Sequence, residues 1–184
     1  MKMLAQTQTV EFDHKVSGPH DSGEWAGKTG LVSLVLSAVE AVDWPGKEKN
    51  FARQGGPNFQ SGMLMALLTY CYAIGIYSSQ DIEASIREDK TVRYLCANTS
   101  PDWKTLRRFR KSHRDPLKKC LLNVLHQALL IRFGDSQMDW APADQAVAQA
   151  LDRWFEPLCV PSPSAEAEER LNRACFMDGM AMID

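Results

Sequence analysis

The chain has 184 residues, enough to bury a sizeable core, and its net charge of −2 gives it no general attraction to polyanions. Its five cysteines include no Cys-x-x-Cys pair, and their odd number argues against a complete disulfide framework and for buried thiols in a reducing compartment. The polar N-terminus and the short apolar run at 63–77 argue against a signal peptide and a membrane span. We therefore expect a soluble cytoplasmic protein.

The first half of the chain predicts an arm followed by buried helices. Residues 1–29 are rich in Gly, Ser, His and charge and predict a mostly irregular arm, in which we expect no metal site. The apolar pattern of 31–42 favours a mostly buried helix, although its valines leave a strand possible. After a linker at 46–58, residues 61–74 are apolar on nearly every side, which is typical of the central helix of a bundle, and Gly75 should end it.

Three short helices are predicted next. Ser78 or Ser79 should cap the first, and a further helical turn at 91–96 leads into a third helix. That third helix should begin with Ser100 as its cap, Pro101 at its first position and Asp102 near its positive end. Short helices with brief polar joints, the last of them basic, match a helix-turn-helix plan.

The third helix carries a local excess of positive charge. Residues 104–119 contain eight Lys or Arg and one acid, whereas 135–184 contain ten Asp or Glu and three Arg. At 100° per residue, Trp103, Leu106 and Phe109 should anchor the helix from behind, opposite most of the cations. Our candidate DNA-binding residues are Lys104, Arg107, Arg108, Arg110, Lys111 and Arg114. Charge alone also permits a solvated face or an acidic partner within the chain.

The last part of the chain also predicts helices. Asp115 and Pro116 should open a long helix to residue 133, and further helices are expected near 143–155 and 165–176. We therefore predict an all-α fold, a multi-helix bundle that contains a helix-turn-helix-like unit and has a helical C-terminal appendage. The predicted domains are an irregular arm (1–29), a helical DNA-binding domain (30–134) and an acidic helical extension (135–184).

Four successive stretches carry a family resemblance. They are GPNFQSGMLMALLTY at 56–70, YAIGIYSSQDIE at 72–83, REDKTVRYLCAN at 87–98 and PDWKTLRRFRKSH at 101–113. In this order they resemble the N-terminal helical domain of bacterial insertion-sequence transposases of the InsH-like type. The resemblance implies a module that recognises the ends of a mobile element, placed ahead of a ribonuclease-H-like domain with three acidic metal ligands.

The chain departs from that family pattern after the matched region. Only about fifty residues follow it, and they look helical rather than β-rich. Asp178 and Gly179 are faintly similar to the Asp-Gly around the first catalytic acid of such enzymes, but a helix-ending turn explains them better, and one carboxylate cannot hold two metal ions. No nucleophile elbow, P-loop or zinc-type histidine spacing is present in the sequence, so we expect no enzyme activity and no cofactor.

The sequence thus predicts a non-catalytic DNA-binding protein derived from a transposase N-terminal domain. Its expected partner is duplex DNA, met through the basic helix, with a homodimer possible and neither a membrane nor a small-molecule substrate involved. We expect a bacterial cytoplasmic location, associated with the nucleoid when DNA is bound. The alternative is a helical module for protein interaction or self-association that no longer binds DNA.

Overall fold

The computed structural model describes residues 22–45, 47, 61–133 and 162–180. Within these ranges it contains helices and no strand, so the predicted all-α fold is confirmed. The helices are α1 (Ser22–Ala41), α2 (Ser61–Ala73), α3 (Ser79–Glu88), α4 (Lys90–Leu95), α5 (Trp103–Ser112), α6 (Arg114–Phe133) and α7 (Pro163–Met180). The helix expected near 143–155 lies outside the described residues, and the helix-turn-helix-like unit stays a prediction.

Helix α2 lies at the centre of the bundle. It is apolar all round, every residue from Leu64 to Ala73 is buried, and it contacts α1, α4, α5, α6 and α7. Its end is a Schellman-type turn, in which Gly75 has a left-handed φ of 86° and the N–H of Ile76 donates to the carbonyl of Cys71 at 2.8 Å. Both the central position of this helix and its stop at Gly75 were predictable from the sequence, and both are confirmed.

Helix α1 begins earlier than the sequence predicts. The helix over 31–42 is confirmed, with Leu31, Val35 and Ala38 buried, but it extends back to Ser22. The prediction of irregular structure is therefore wrong for residues 22–29, while residues 1–21 lie outside the described part of the chain. The glycines there lower helix propensity, but extending an existing helix avoids the cost of nucleating a new one.

The short helices are joined by side-chain caps. Ser78 caps α3, because its hydroxyl accepts from the N–H groups of Gln80 at 3.2 Å and Asp81 at 3.4 Å. Asp89 follows α3 and caps α4, where its carboxylate accepts from the N–H of Thr91 at 2.6 Å. These caps satisfy helix-end donors with very little intervening chain, which holds α3 and α4 close together.

Helix α5 is capped by Asp102, not by Ser100 as predicted. The Asp102 carboxylate accepts from the N–H of Thr105 at 2.8 Å, and Pro101 lies before the helix, not inside it. The bonds from Thr105 are the main reason that the pKa of Asp102 lies below its ordinary value of 3.8. An ionised carboxylate at this end also suits the helix dipole.

The Asp102 cap gives a prediction that depends on pH. At neutral pH, Asp102→Ala should lower the free energy of unfolding by about 1 kcal/mol. Because folding lowers the pKa, this stabilisation is present above the ordinary carboxyl pKa and is lost as the pH falls through the folded value. Urea unfolding of both proteins at several pH values should show the difference shrinking in acid. The stability difference between Asp102→Asn, a cap without a titrating group, and Asp102→Ala should not change with pH. A difference between wild type and Asp102→Ala that is independent of pH would contradict this account.

The long helix α6 begins at Arg114, one residue before the predicted cap. Asp115 is therefore inside its first turn, and the carbonyl of His113 accepts the N–H of Leu117 at 3.0 Å. The predicted apolar face is confirmed, with Leu121 and Val124 fully buried. This face packs on α1, α2 and α7.

Helix α7 belongs to the same core as the helices before it. Ala167, Leu171 and Ala174 are all fully buried and join the hydrophobic cluster that α2 and α6 build. The predicted helix near 165–176 is confirmed and is longer at both ends. The described part of the predicted extension is thus packed into the bundle rather than set apart from it.

Two further findings concern the cysteines and membranes. Cys71, Cys96 and Cys120 are buried free thiols, and burial raises the pKa of Cys96 and Cys120 to about 12, so neither is a thiolate at neutral pH. No helix among the described residues is long and apolar enough to cross a membrane.

Candidate nucleic-acid interface

Helix α5 is fixed to the bundle along one side. Leu106 is fully buried and Phe109 nearly so, and the helix contacts α2, α3 and α6. Its first backbone N–H, that of Trp103, donates to the Glu83 carboxylate on α3 at 3.0 Å. Packing and this bond together set the direction in which the other side of α5 points.

The opposite side of α5 carries most of the predicted DNA-binding residues. Lys104, Arg108 and Lys111 are exposed and Arg107 is half-buried. We call these four residues the α5 cationic face. Its positions recur at helical spacing, which places the four charges on one side of a short helix. The structure thus brings together four of the six predicted residues.

The α5 cationic face surrounds a hollow that also includes Trp103. The hollow has a volume of about 400 Å³ and opens to solvent, and its wall is mostly carbon. Carbon dominates because long cationic side chains present their methylene stems along a surface while the charged ends reach water. Lys104 Nζ lies 5.5 Å from the centre of the Trp103 ring, a cation–π contact.

Arg110 lies on the other side of the helix, so its prediction as a surface contact is corrected. It is 3% exposed, its guanidinium forms an ion pair with Asp178 of α7, and it donates to the hydroxyls of Tyr72 at 3.1 Å and Ser79 at 3.3 Å. Arg110 follows Leu106 by four residues and therefore shares its buried face. The four-residue spacing from Leu106 could have indicated from the sequence alone that Arg110 lies on the buried face.

Arg114 lies outside the hollow and is paired with α7. Its guanidinium bonds the carboxylate of Glu168 at 2.5 Å and the amide oxygen of Asn172 at 2.7 Å. Lys118 reaches the same carboxylate at 2.7 Å, and Lys118 and then Arg114 hold the pKa of Glu168 below its usual range. The sequence left open that some of these cations pair with acidic residues of the same chain. Arg110 and Arg114 do so in the structure.

Trp103 was expected only as an anchor behind the helix, yet it also lines the hollow. It is half-buried, between the fully buried face of Leu106 and the cationic face. Arg107 follows Trp103 by four residues, so the two side chains are neighbours on the helix surface. This spacing could have placed Trp103 beside the cations from the sequence alone.

Asp178 has a structural environment that the sequence did not indicate. It lies in the last turn of α7, is 5% exposed, and accepts from the backbone N–H and the hydroxyl of Ser79, both at 2.7 Å. Arg110 bonds the same carboxylate. Among the described residues there is no group of three or more His, Cys, Asp or Glu side chains that could hold a metal ion.

The comparison with family models agrees with the resemblance seen in the sequence. Residues 33–112 match the family described as Transposase domain (DUF772), a range that ends with the last residue of α5. No curated protein and no solved structure matches the chain significantly. Over residues 33–112, then, the chain is similar to the transposase domain of the DUF772 family.

Proposed function

We propose that this chain binds duplex DNA through the α5 cationic face, as the recognition part of a transposase-derived protein. The observation that carries the proposal is the arrangement of four cationic side chains on one side of a helix whose other side is fixed in the core. Neutralising phosphates with Lys and Arg is the main source of affinity in most protein–DNA complexes. The proposed interface lies inside the segment that matches the transposase domain.

The dimensions of α5 suit a DNA groove. A helix of 10 residues is about 15 Å long, and the major groove is about 12 Å wide and accepts one helix. In this proposal α5 is the recognition helix of the helix-turn-helix-like unit, with α3 and α4 supporting it. Phosphate contacts would set its position, and Arg107 or Arg108 would be suited to read a guanine edge.

We propose further that this chain recognises DNA without cutting it. Asp178 is the residue that resembles the first catalytic acid of such transposases. Both of its carboxylate oxygens accept hydrogen bonds, from Ser79 and Arg110. A carboxylate held in this way is not available to a divalent ion in the same conformation. Duplex DNA incubated with the protein and Mg²⁺ or Mn²⁺ should remain uncut; metal-dependent cleavage by the wild-type chain would contradict this part of the proposal.

A DNA titration with charge variants tests the main proposal. The Arg108→Ala, Lys111→Ala double variant should bind duplex DNA at least tenfold more weakly than the wild type, and its log K against log salt slope should be smaller by about 2, because two phosphate contacts are lost. The matched control is Lys90→Ala, Lys119→Ala, which removes the same charge from exposed positions on α4 and α6. Equal losses in both variants, or affinity that ignores salt, would contradict the proposed interface.

The exposed end of α7 favours a second candidate function, self-association. Phe176 is 65% exposed and Met180, one helical turn later on the same side of α7, is 52% exposed, and adjacent exposed apolar side chains are typical of contact sites. Light scattering after size-exclusion chromatography separates the two functions. A stable dimer that Phe176→Ser dissociates, together with no affinity for DNA, would favour self-association over the main proposal.

A further inference from the structure

The hollow on α5 has features that phosphate binding does not require. Phosphates need exposed charges and N–H donors, whereas this hollow has a mostly carbon wall and an indole ring, with the charges at its rim. Its volume of about 400 Å³ lies within the range of about 300–1,000 Å³ found for small-ligand pockets. A flat apolar group with an attached anion would match both the wall and the rim.

We propose that the hollow holds an unpaired nucleobase stacked on Trp103, so that the preferred ligand is duplex DNA with an extrahelical or single-stranded nucleotide beside it. This inference rests on the proposed DNA binding and names its substrate more closely. Aromatic side chains within a cationic groove are the common means of binding unpaired bases, because every base presents a flat π-face. The cations at the rim then hold the phosphates on either side of the base.

The backbone that carries Trp103 is fixed at the start of α5, which suits a residue on which a base would stack. Its backbone N–H is bonded to Glu83, the Asp102–Thr105 cap closes the same turn, and Leu106 is fully buried three residues later. Because the backbone that carries the indole is already fixed, binding a base costs little backbone entropy at this position.

In the free protein the Lys104 ammonium lies over the ring of Trp103, and a stacked base would displace it. Lys104 is an exposed residue whose Nζ lies 5.5 Å from the ring centre, and an exposed cation–π contact is weaker than a base–aromatic stack. Displacement frees the ammonium for a neighbouring phosphate. Displacing Lys104 therefore costs little binding free energy, because the base gains the Trp103 ring and the ammonium gains a phosphate.

A regular duplex cannot supply the ligand that this hollow fits. Its bases are stacked and paired, so the grooves present only their edges. Extruding a base costs unstacking and unpairing energy, and the cost is smallest where the base is already unpaired. The protein should thus discriminate between DNA molecules of equal charge by whether an unpaired base is present.

The test is a fluorescence-anisotropy titration of the full chain with three DNA ligands of matched length. They are a perfect duplex, the same duplex with a one-nucleotide bulge, and the same bulge with an abasic site in place of the base. Wild-type protein should bind the base-bearing bulge about tenfold more tightly than either of the others, as expected for one added stack. Trp103→Ala should remove this preference, and Trp103→Phe should keep part of it.

The outcomes separate the inference from the proposed function. Equal affinity for the base-bearing and abasic bulges would overturn the inference, because the preference would then come from DNA flexibility, and this arm needs no protein variant. A preference that survives in Trp103→Ala would also overturn it. In both cases salt-dependent duplex binding would leave the proposed function standing, whereas no binding to any of the three ligands would overturn both.

Discussion

Replacing Asp178 with Ala should lower the free energy of unfolding by about 3–5 kcal/mol, the range found when one member of a buried ion pair is removed. The Arg110 guanidinium, 3% exposed in the native chain, would stay charged, and its remaining partners among the described residues would be the hydroxyls of Tyr72 and Ser79. The backbone N–H of Ser79, at the start of α3, would lose its acceptor as well. Urea unfolding followed by circular dichroism measures the change.

Two variants make this result specific to the buried pair. Glu168→Ala removes a carboxylate from the half-exposed pairs with Arg114 and Lys118 and should cost about 0–1 kcal/mol. The double variant Arg110→Met, Asp178→Leu replaces the buried pair with apolar side chains and should be more stable than Asp178→Ala alone. If Asp178→Ala is as mild as Glu168→Ala, the pair does not have the structural importance that its burial indicates.

Most of the helical framework follows from local sequence patterns. The apolar run of α2, the stop at Gly75 and the face of α6 are periodic or conformational signals, which act within a few residues of the chain. Helix starts were less predictable. Ser100 and Asp102 are both good capping residues, and the position of the helix was decided by packing and by the bond from Trp103 to Glu83.

The candidate site could be predicted only in part, because a local pattern of charges does not show which distant residues will pair with them in the folded chain. Lys104, Arg108 and Lys111 lie on the exposed face that their spacing indicates. Arg110 and Arg114 belong to the same basic run, but their acceptors, Asp178 and Glu168, follow them by 68 and 54 residues. Nothing local to the basic run identifies those carboxylates, so only the folded structure separates structural cations from candidate DNA contacts.

Helix α7 links this separation of charges to the stability of the bundle. Fully buried Arg170 donates to the carbonyls of Tyr72 at 2.9 Å and Ala73 at 3.0 Å, and it is paired with buried Glu166 at 2.7 Å. Those carbonyls are at the C-terminus of α2, where the helix dipole favours a cation. The same helix thus completes the end of the central helix and neutralises Arg110 and Arg114, two cations of the basic run that do not face the hollow.

A chain cut after residue 134, at the boundary that the sequence predicts for the DNA-binding domain, should fail to fold cooperatively. The cut removes Asp178 from buried Arg110 and Arg170 from the end of α2, and it exposes the core surface that Leu171 covers. The loss of the Asp178 partner alone is expected to cost about 3–5 kcal/mol, and total stabilities of domains are about 5–15 kcal/mol. Removing apolar contacts as well should exhaust the stability that remains.

Thermal unfolding of the cut chain and the full chain, followed by circular dichroism, measures this effect. The full chain should give one cooperative transition and the cut chain a broad or absent one. Adding a peptide of residues 162–180 should restore the transition in a concentration-dependent way, because a partner that binds only the folded state stabilises it by mass action. A cut chain that unfolds as cooperatively as the full chain would show that the bundle is complete without α7. In that case Arg110 must find another partner, and the division between structural arginines and the α5 cationic face would no longer hold.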